Sequence, residues 1–222
     1  MDIMFSKFFK KDTTSTDNQE LVLKSPDLEA GFVMPTLEAG QLTGKLLIAT
    51  PFMNDSRFQN AVIFICSHAG TGTIGVIVNH AIDDLDFIDV LRQFELEPMD
   101  ETPDLTVVKG GPVEKERGFV LHSNDFVTDT TQEIDHDLCL TSSLDMLKKM
   151  GLGEGPKKAI MSLGFTAWDA GQLENELADN SWLIADYNAD LLFEISCNHR
   201  WEAAMSGIGV RPSAMTDAVG RA

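Results

Sequence analysis

At 222 residues the chain can hold one large domain or two small ones, and its 43% hydrophobic content is that of an ordinary soluble globular protein. Seventeen Lys and Arg against 35 Asp and Glu leave a net charge of −18, which repels phosphate backbones and argues against nucleic-acid binding unless a local basic patch overrides it. No apolar run reaches the roughly 20 residues of a membrane-crossing helix, and Cys66, Cys139 and Cys197, odd in number and widely spaced, fit reduced cytoplasmic thiols better than a disulfide framework or zinc site.

Residues 1–36 read as a flexible extension ahead of a single domain over 37–222. Lys11 to Glu20 is polar and has no large apolar residue, so burial cannot offset its ordering entropy. Phe5, Phe8 and Phe9, with Lys7, Lys10 and Lys11 nearby, can share one helical face, either as a frayed terminus or as a weak membrane-surface or partner-docking helix. The opening MDIMFSKFFKK has no apolar block of about 7–15 residues before a small-residue cleavage site, so no export signal is expected.

From Gln41 onward the text is compact. Strands are predicted at Lys45–Ala49, Asn60–Cys66 and Ile74–Val78 from their β-branched, apolar runs. A helix follows over Phe87–Phe94, capped by Asp84 or Asp86. Leu105–Val108 and Gly118–Leu121 read as strands on either side of a Gly-Gly-Pro turn, and Asp137–Leu140 as another short one. Ser142 or Ser143 caps a helix over Leu144–Met150, with Gly151 as its stop. Lys158–Phe165 is predicted as a strand, Ala170–Ala178 as a helix, and Trp182–Ala185 and Leu191–Ile195 as strands. A last helix is expected over His199–Met205, with Asn198 as its cap and Gly207 as its end. Strands and helices in this order predict a mixed α/β (α+β) domain.

Gly70-x-Gly72-x-x-Gly75 is spelled like a dinucleotide-binding fingerprint. That chemistry needs a helix after the glycines, so that the pyrophosphate meets exposed N–H groups. Here Val76-Ile-Val78 follows, which is strand-forming. The glycines are therefore expected in a β-hairpin loop, where they allow positive φ.

Several motifs resemble the AlgH/YqgE family: Gly44-Lys-Leu-Leu-Ile-Ala-x-Pro51-Phe-Met-Asn-Asp-x-x-Phe58, Ala61-Val-Ile, His68 with Gly75-Val-Ile-Val-Asn79, Gly110-Gly-Pro-Val113, Gly118-Phe-Val-Leu-His122, Gly164-Phe-Thr-Ala-Trp168, Gly171-Gln-Leu-Glu174, Asn180-x-Trp182 and Trp201. The resemblance runs from about Gln41 to Arg211. It implies a bent, barrel-like sheet flanked by helices, in a bacterial cytoplasmic protein whose family name points to transcriptional regulation without an established activity. It carries no catalytic residues over. Where the family commonly has Gly-Tyr-Ala-Gly-Trp, this chain has Phe165, Thr166 and Ala167, which removes any tyrosine hydroxyl there.

The candidate chemistry is sparse. Gly110-Gly111-Pro112 reads as a turn, with an anion-binding backbone nest as the alternative. His122 could approach the His68–Asn79 hairpin, so a cleft of His68, Asn79 and His122 beside Gly110–Pro112 is the candidate ligand site. Cys197-Asn198-His199 suggests a nucleophile and base, but residues two apart at a strand-to-helix junction seldom face one another. Asp135-His136-Asp137 alternate in direction and cannot converge on one metal ion, so neither metal nor cofactor is expected. Lys148-Lys149 and Lys157-Lys158 are the paired basics of the folded part, with no recognition helix around them. Trp168, if exposed, would serve as a partner-binding anchor. The reading is a non-catalytic regulatory or interaction protein. A small-molecule-binding or hydrolytic protein is the alternative, and a direct DNA binder the second alternative.

Overall fold

The computed structural model describes residues 8–9, 23–24 and 41–211. Of the predicted extension, Phe8–Phe9 (β1) and Leu23–Lys24 (β2) pair as a two-residue antiparallel ladder. Phe8 and Phe9 are thus extended, not on a helical face, and the rest of residues 1–36 lies outside the described residues. The folded part runs β3 Lys45–Ala49, β4 Val62–Ala69, β5 Gly72–Ile77, β6 Ala81–Asp86, α1 Phe87–Gln93, β7 Thr106–Lys109 and β8 Val113–Ser123. It continues β9 Gln132–Asp135, β10 Leu138–Thr141, α2 Leu144–Gly151, β11 Ala159–Asp169, α3 Gln172–Ala178, β12 Trp182–Asp186, α4 Ala189–Phe193 and α5 Cys197–Gly207.

The sheet is a curled half-barrel of ten strands in the order β12-β3-β4-β5-β11-β8-β10-β9, with β6 and β7 branching from β11. β11 organises it. Along one edge β11 pairs antiparallel with β8. Along the other, Met161–Leu163 pair in parallel with β7, and Thr166–Asp169 pair antiparallel with β5. The sheet therefore divides at Gly164, which sits at φ +74°.

Helix starts follow local capping. Asp86 accepts from the Asp89 N–H while Asp89 accepts in return from the Asp86 N–H, a reciprocal capping box. Ser143 caps α2 by accepting from the Met146 N–H. Three expectations change. Leu191–Ile195 is not a strand: Asn188 accepts from the N–H groups of Asp190 and Leu191, and this cap turns the run into α4. α5 begins at Cys197 with Ser196 at its N-cap, so Asn198 is inside the helix. Gly151 is the last helical residue of α2, and Gly153, at φ +71°, ends the helix, with the Glu154 N–H reaching the Lys149 carbonyl.

Strand alternation divides the core into layers. Leu46, Ile48, Val62, Phe64, Val76 and Leu121 face the concave side, which α4 and α5 close with Leu191, Leu192, Ala204 and Met205. On the convex side, α1 and α2 cover Val107, Val120, Met161 and Leu163 with Phe87, Leu91, Met146 and Leu147. α3 covers Leu47, Ile63, Ile65, Trp168 and Trp182 with Leu173. Trp201 fixes α5 to the sheet, its indole N–H donating to the Ala49 carbonyl at 2.8 Å. Among the described residues no helix is long and apolar enough to cross a membrane.

Candidate functional site

On the convex side the α3 cluster and the α1–α2 cluster do not meet over the division of the sheet, and a groove of about 420 Å³ opens there. Its floor is apolar: Ile77 from the end of β5, Ile82 from β6, Leu163 from β11, and Pro112. Arg57, His80, Lys109, Lys115 and Glu116 line it as well. The lining thus holds three Lys or Arg and one acid, in a chain with twice as many acids as bases.

The wall formed by Gly110–Pro112 follows from a backbone crossing. β7 and β8 lie on opposite edges of β11, so the three residues between them must pass over that strand. The Gly110 N–H donates to the Leu163 carbonyl, and the Gly110 carbonyl accepts from the Ile77 N–H. A Cβ on Gly111 would sit 2.1 Å from the Phe165 carbonyl oxygen, and one on Gly110 would sit 2.2 Å from that of Gly164. Only glycine permits this approach. The link is therefore a crossover and not a tight hairpin turn.

The opposite wall is the loop between β3 and β4. Arg57 is clamped in a two-pronged pair by Asp55, with contacts of 3.0 and 2.6 Å. Asn79 fixes the exit of this loop: its Oδ1 accepts from the Val62 N–H at 2.7 Å and its Nδ2 donates to the Asn60 carbonyl at 2.8 Å. His80 donates from Nε2 to the Gln59 carbonyl at 3.1 Å, which fixes its tautomer. Burial, reinforced by the Lys109 charge, holds His80 below the ordinary imidazole range.

The structure distributes the sequence candidates unevenly. Gly111 and Pro112 line the groove, Gly110 lies behind them, and Asn79 supports the facing loop. His68 lies elsewhere, near the tip of the β4–β5 hairpin: its Nδ1 meets Thr73 Oγ1 at 2.8 Å, and its Nε2 lies 3.6 Å from Glu174. His122 is fully buried at the far end of β11, opposite Ala159. Since Thr73 pairs with Trp168 near the last residues of β11, about 30 Å of strand separates the two histidines. They form no common cleft.

His122 belongs to a buried chain of hydroxyls. Its Nδ1–H donates to the Ser123 carbonyl, leaving Nε2 to accept from Thr141, which in turn accepts from Thr131. Burial lowers its pKa, so the ring is neutral. Trp168 is only 5% exposed, stacks edge-on against Trp182 and donates to Glu176. It is a core residue and cannot anchor a partner. Cys197 lies against the buried Arg200, 3.5 Å from Nη1, while His199 meets Ser196 instead of the thiol. Burial pushes the Cys66 thiol up to about 12. His136 occupies the exposed turn between β9 and β10. The glycine-rich stretch is a β4–β5 hairpin, in which Gly72 has positive φ while Gly75 packs too closely on Ile63 and Phe64 for a side chain.

Sequence reading missed Arg57, Ile77, His80, Ile82, Lys109, Lys115, Glu116 and Leu163. The available signal was Lys109 and Lys115, which bracket Gly110–Pro112 in a strongly acidic chain.

Comparison with known proteins places this geometry in a family. The AlgH-like family model matches residues 46–213. A UPF0301 protein of Bradyrhizobium diazoefficiens is 40% identical over 196 residues, covering 85% of this chain and 92% of its own. One from Rhodospirillum rubrum is 38% identical, covering 85% of this chain and all of its own. The solution structure of the AlgH protein from Pseudomonas aeruginosa superimposes with a TM-score of 0.67 at 34% identity, over 82% of this chain and 97% of that one. A crystal structure from Corynebacterium diphtheriae, at 19% identity and a TM-score of 0.59, shares the fold. On the strength of these matches, the chain belongs to the AlgH-like family.

Proposed function

We propose that the protein is a non-catalytic regulatory protein of the bacterial cytoplasm that acts by binding. The observation carrying this reading is the groove at the division of the sheet, apolar at its floor and cationic along its walls. The reactive side chains elsewhere are committed to structure: His122 to a carbonyl and a threonine, and Cys66 to the core. A ligand held there would bridge the Arg57 loop and the Gly110–Pro112 crossing. The resemblance to the AlgH/YqgE family, which implies a link to transcriptional regulation, agrees with a regulatory role. Direct DNA binding has less support, because Lys149, Lys157 and Lys158 are matched by Glu154, Asp125 and Glu194.

Native purification from the bacterial host, followed by native mass spectrometry, tests this reading. A stoichiometric small molecule or protein partner recovered unchanged is the expected outcome. A defined turnover abolished by one substitution would overturn it.

A further inference from the structure

The groove's composition narrows what it can hold. Among the described residues neither Lys109 nor Lys115 has a salt-bridge partner, and both are exposed. Lys109 ends β7 and Lys115 is the third residue of β8, so the crossing over Gly164 places both lysines in the lining of the groove. Ile77, Ile82 and Leu163 beneath them are buried and offer no hydrogen-bonding group. In a chain of net charge −18, two lysines without salt-bridge partners against the single Glu116 leave this lining locally cationic. An apolar floor with a few convergent polar groups is the usual character of a small-molecule site, and this volume lies within the usual range.

We propose that the groove binds a small organic oxyanion, a carboxylate or phosphate monoester on an apolar body. Lys109 and Lys115 take the anion, and Ile77, Ile82 and Leu163 take the body. This rests on the binding reading above and adds a ligand class to it. A neutral molecule of the same shape leaves the ammonium groups unused, and a bare inorganic anion leaves the floor unused.

The test is a titration of the full chain, followed by backbone amide chemical shifts, with 1-naphthoate, 1-naphthyl phosphate, 1-naphthol and inorganic phosphate. The expected result is saturable binding of one or both naphthyl anions, with shifts centred on His80, Lys109, Gly111 and Lys115. Naphthol and inorganic phosphate should each bind at least about tenfold more weakly. The better naphthyl anion identifies the physiological head group as carboxylate or phosphate. A Lys109→Gln/Lys115→Gln double variant should lose roughly tenfold or more in affinity, while Lys148→Gln/Lys149→Gln should not. Both target lysines are exposed, and an unchanged far-UV spectrum would confirm that the variant folds. Naphthol binding as well as the anions, shifts centred elsewhere, or an unaffected double variant would each overturn the assignment. Release of naphthol from naphthyl phosphate would instead overturn the non-catalytic reading and leave the site in place.

Discussion

Glu176 on α3 provides a sharp test of how the convex layer is held. Its Oε2 accepts from the indole N–H groups of both Trp168, at 3.0 Å, and Trp182, at 2.7 Å, and its Oε1 accepts from Gln172 at 3.0 Å. Both tryptophans are buried, at 5% and 3% exposure, and their indole N–H groups share this one carboxylate oxygen as acceptor. Hydrogen bonds to a charged acceptor contribute about 1.5–3 kcal/mol each. Because one oxygen serves both donors, we take the lower end and expect Glu176→Ala to cost about 3 kcal/mol. For a chain of this length that is a fall in Tm of roughly 6–12 °C. Glu176→Gln keeps a carbonyl acceptor and should cost only about 1 kcal/mol. Glu174, also on α3, has an exposed side chain 3.6 Å from His68, so Glu174→Ala should stay within about 0.5 kcal/mol. Urea unfolding followed by tryptophan emission and far-UV circular dichroism measures all three. If Glu176→Ala matches Glu174→Ala, the shared carboxylate does not hold α3 and the reasoning fails.

Gly111→Ala should destabilise the fold by about 3 kcal/mol or more, because the clash is with backbone and cannot be relieved by a rotamer change. Gly171→Ala, with open space around it but φ +77°, should cost only about 1–2 kcal/mol; similar urea midpoints for the two would remove the crossover argument. Asn79→Ala strips the buried Val62 N–H and the Asn60 carbonyl of their partner and should cost about 2–3 kcal/mol by the same assay. Burial holds His122 and His80 below the ordinary value. Protons then bind the unfolded chain first as pH drops below about 6.5, so their contribution to stability is complete above that value and lost progressively beneath it. The unfolding free energy should therefore fall between about pH 7.5 and 5.5, and His122→Gln should flatten part of that slope; an unchanged slope would remove His122 from the account.

Most strands were legible because their β-branched runs match a pleated, half-buried surface. α1 and α2 were legible because Asp86 and Ser143 mark where helices start, and α3 because its run is rich in good helix formers. The Leu191–Ile195 run failed for a local reason: five apolar-rich residues have no decisive periodicity, and the single Asn188 cap decides between strand and helix. The site was harder to read. Arg57, His80, Lys109 and Lys115 belong to separate segments and meet through long-range contacts, such as the Lys109 N–H to His80 carbonyl bond and the crossing over β11, which no local spacing encodes. His68 and His122 both fall in recognisable motifs of the text, yet they sit on β4 and β8, level with opposite ends of β11. Gly110–Pro112 was legible as a connection, but that it spans an intervening strand required the third partner.

The crossing at Gly164 also governs how the molecule is made. β7 and β8 emerge from the ribosome almost together, yet the strand that separates them is translated only after β9, β10 and α2. Until then their facing edges, and the outer edge of β5, are open, and such edges invite wrong pairings. β11 closes all three in one late, non-local event, the kind of contact that slows folding. Nascent chains halted before Ala159 should accordingly be cut readily by protease, and chains released after α5 should resist. The groove shares that timing, since neither Gly111 nor Lys115 has anything to rest on before β11 lies beneath them.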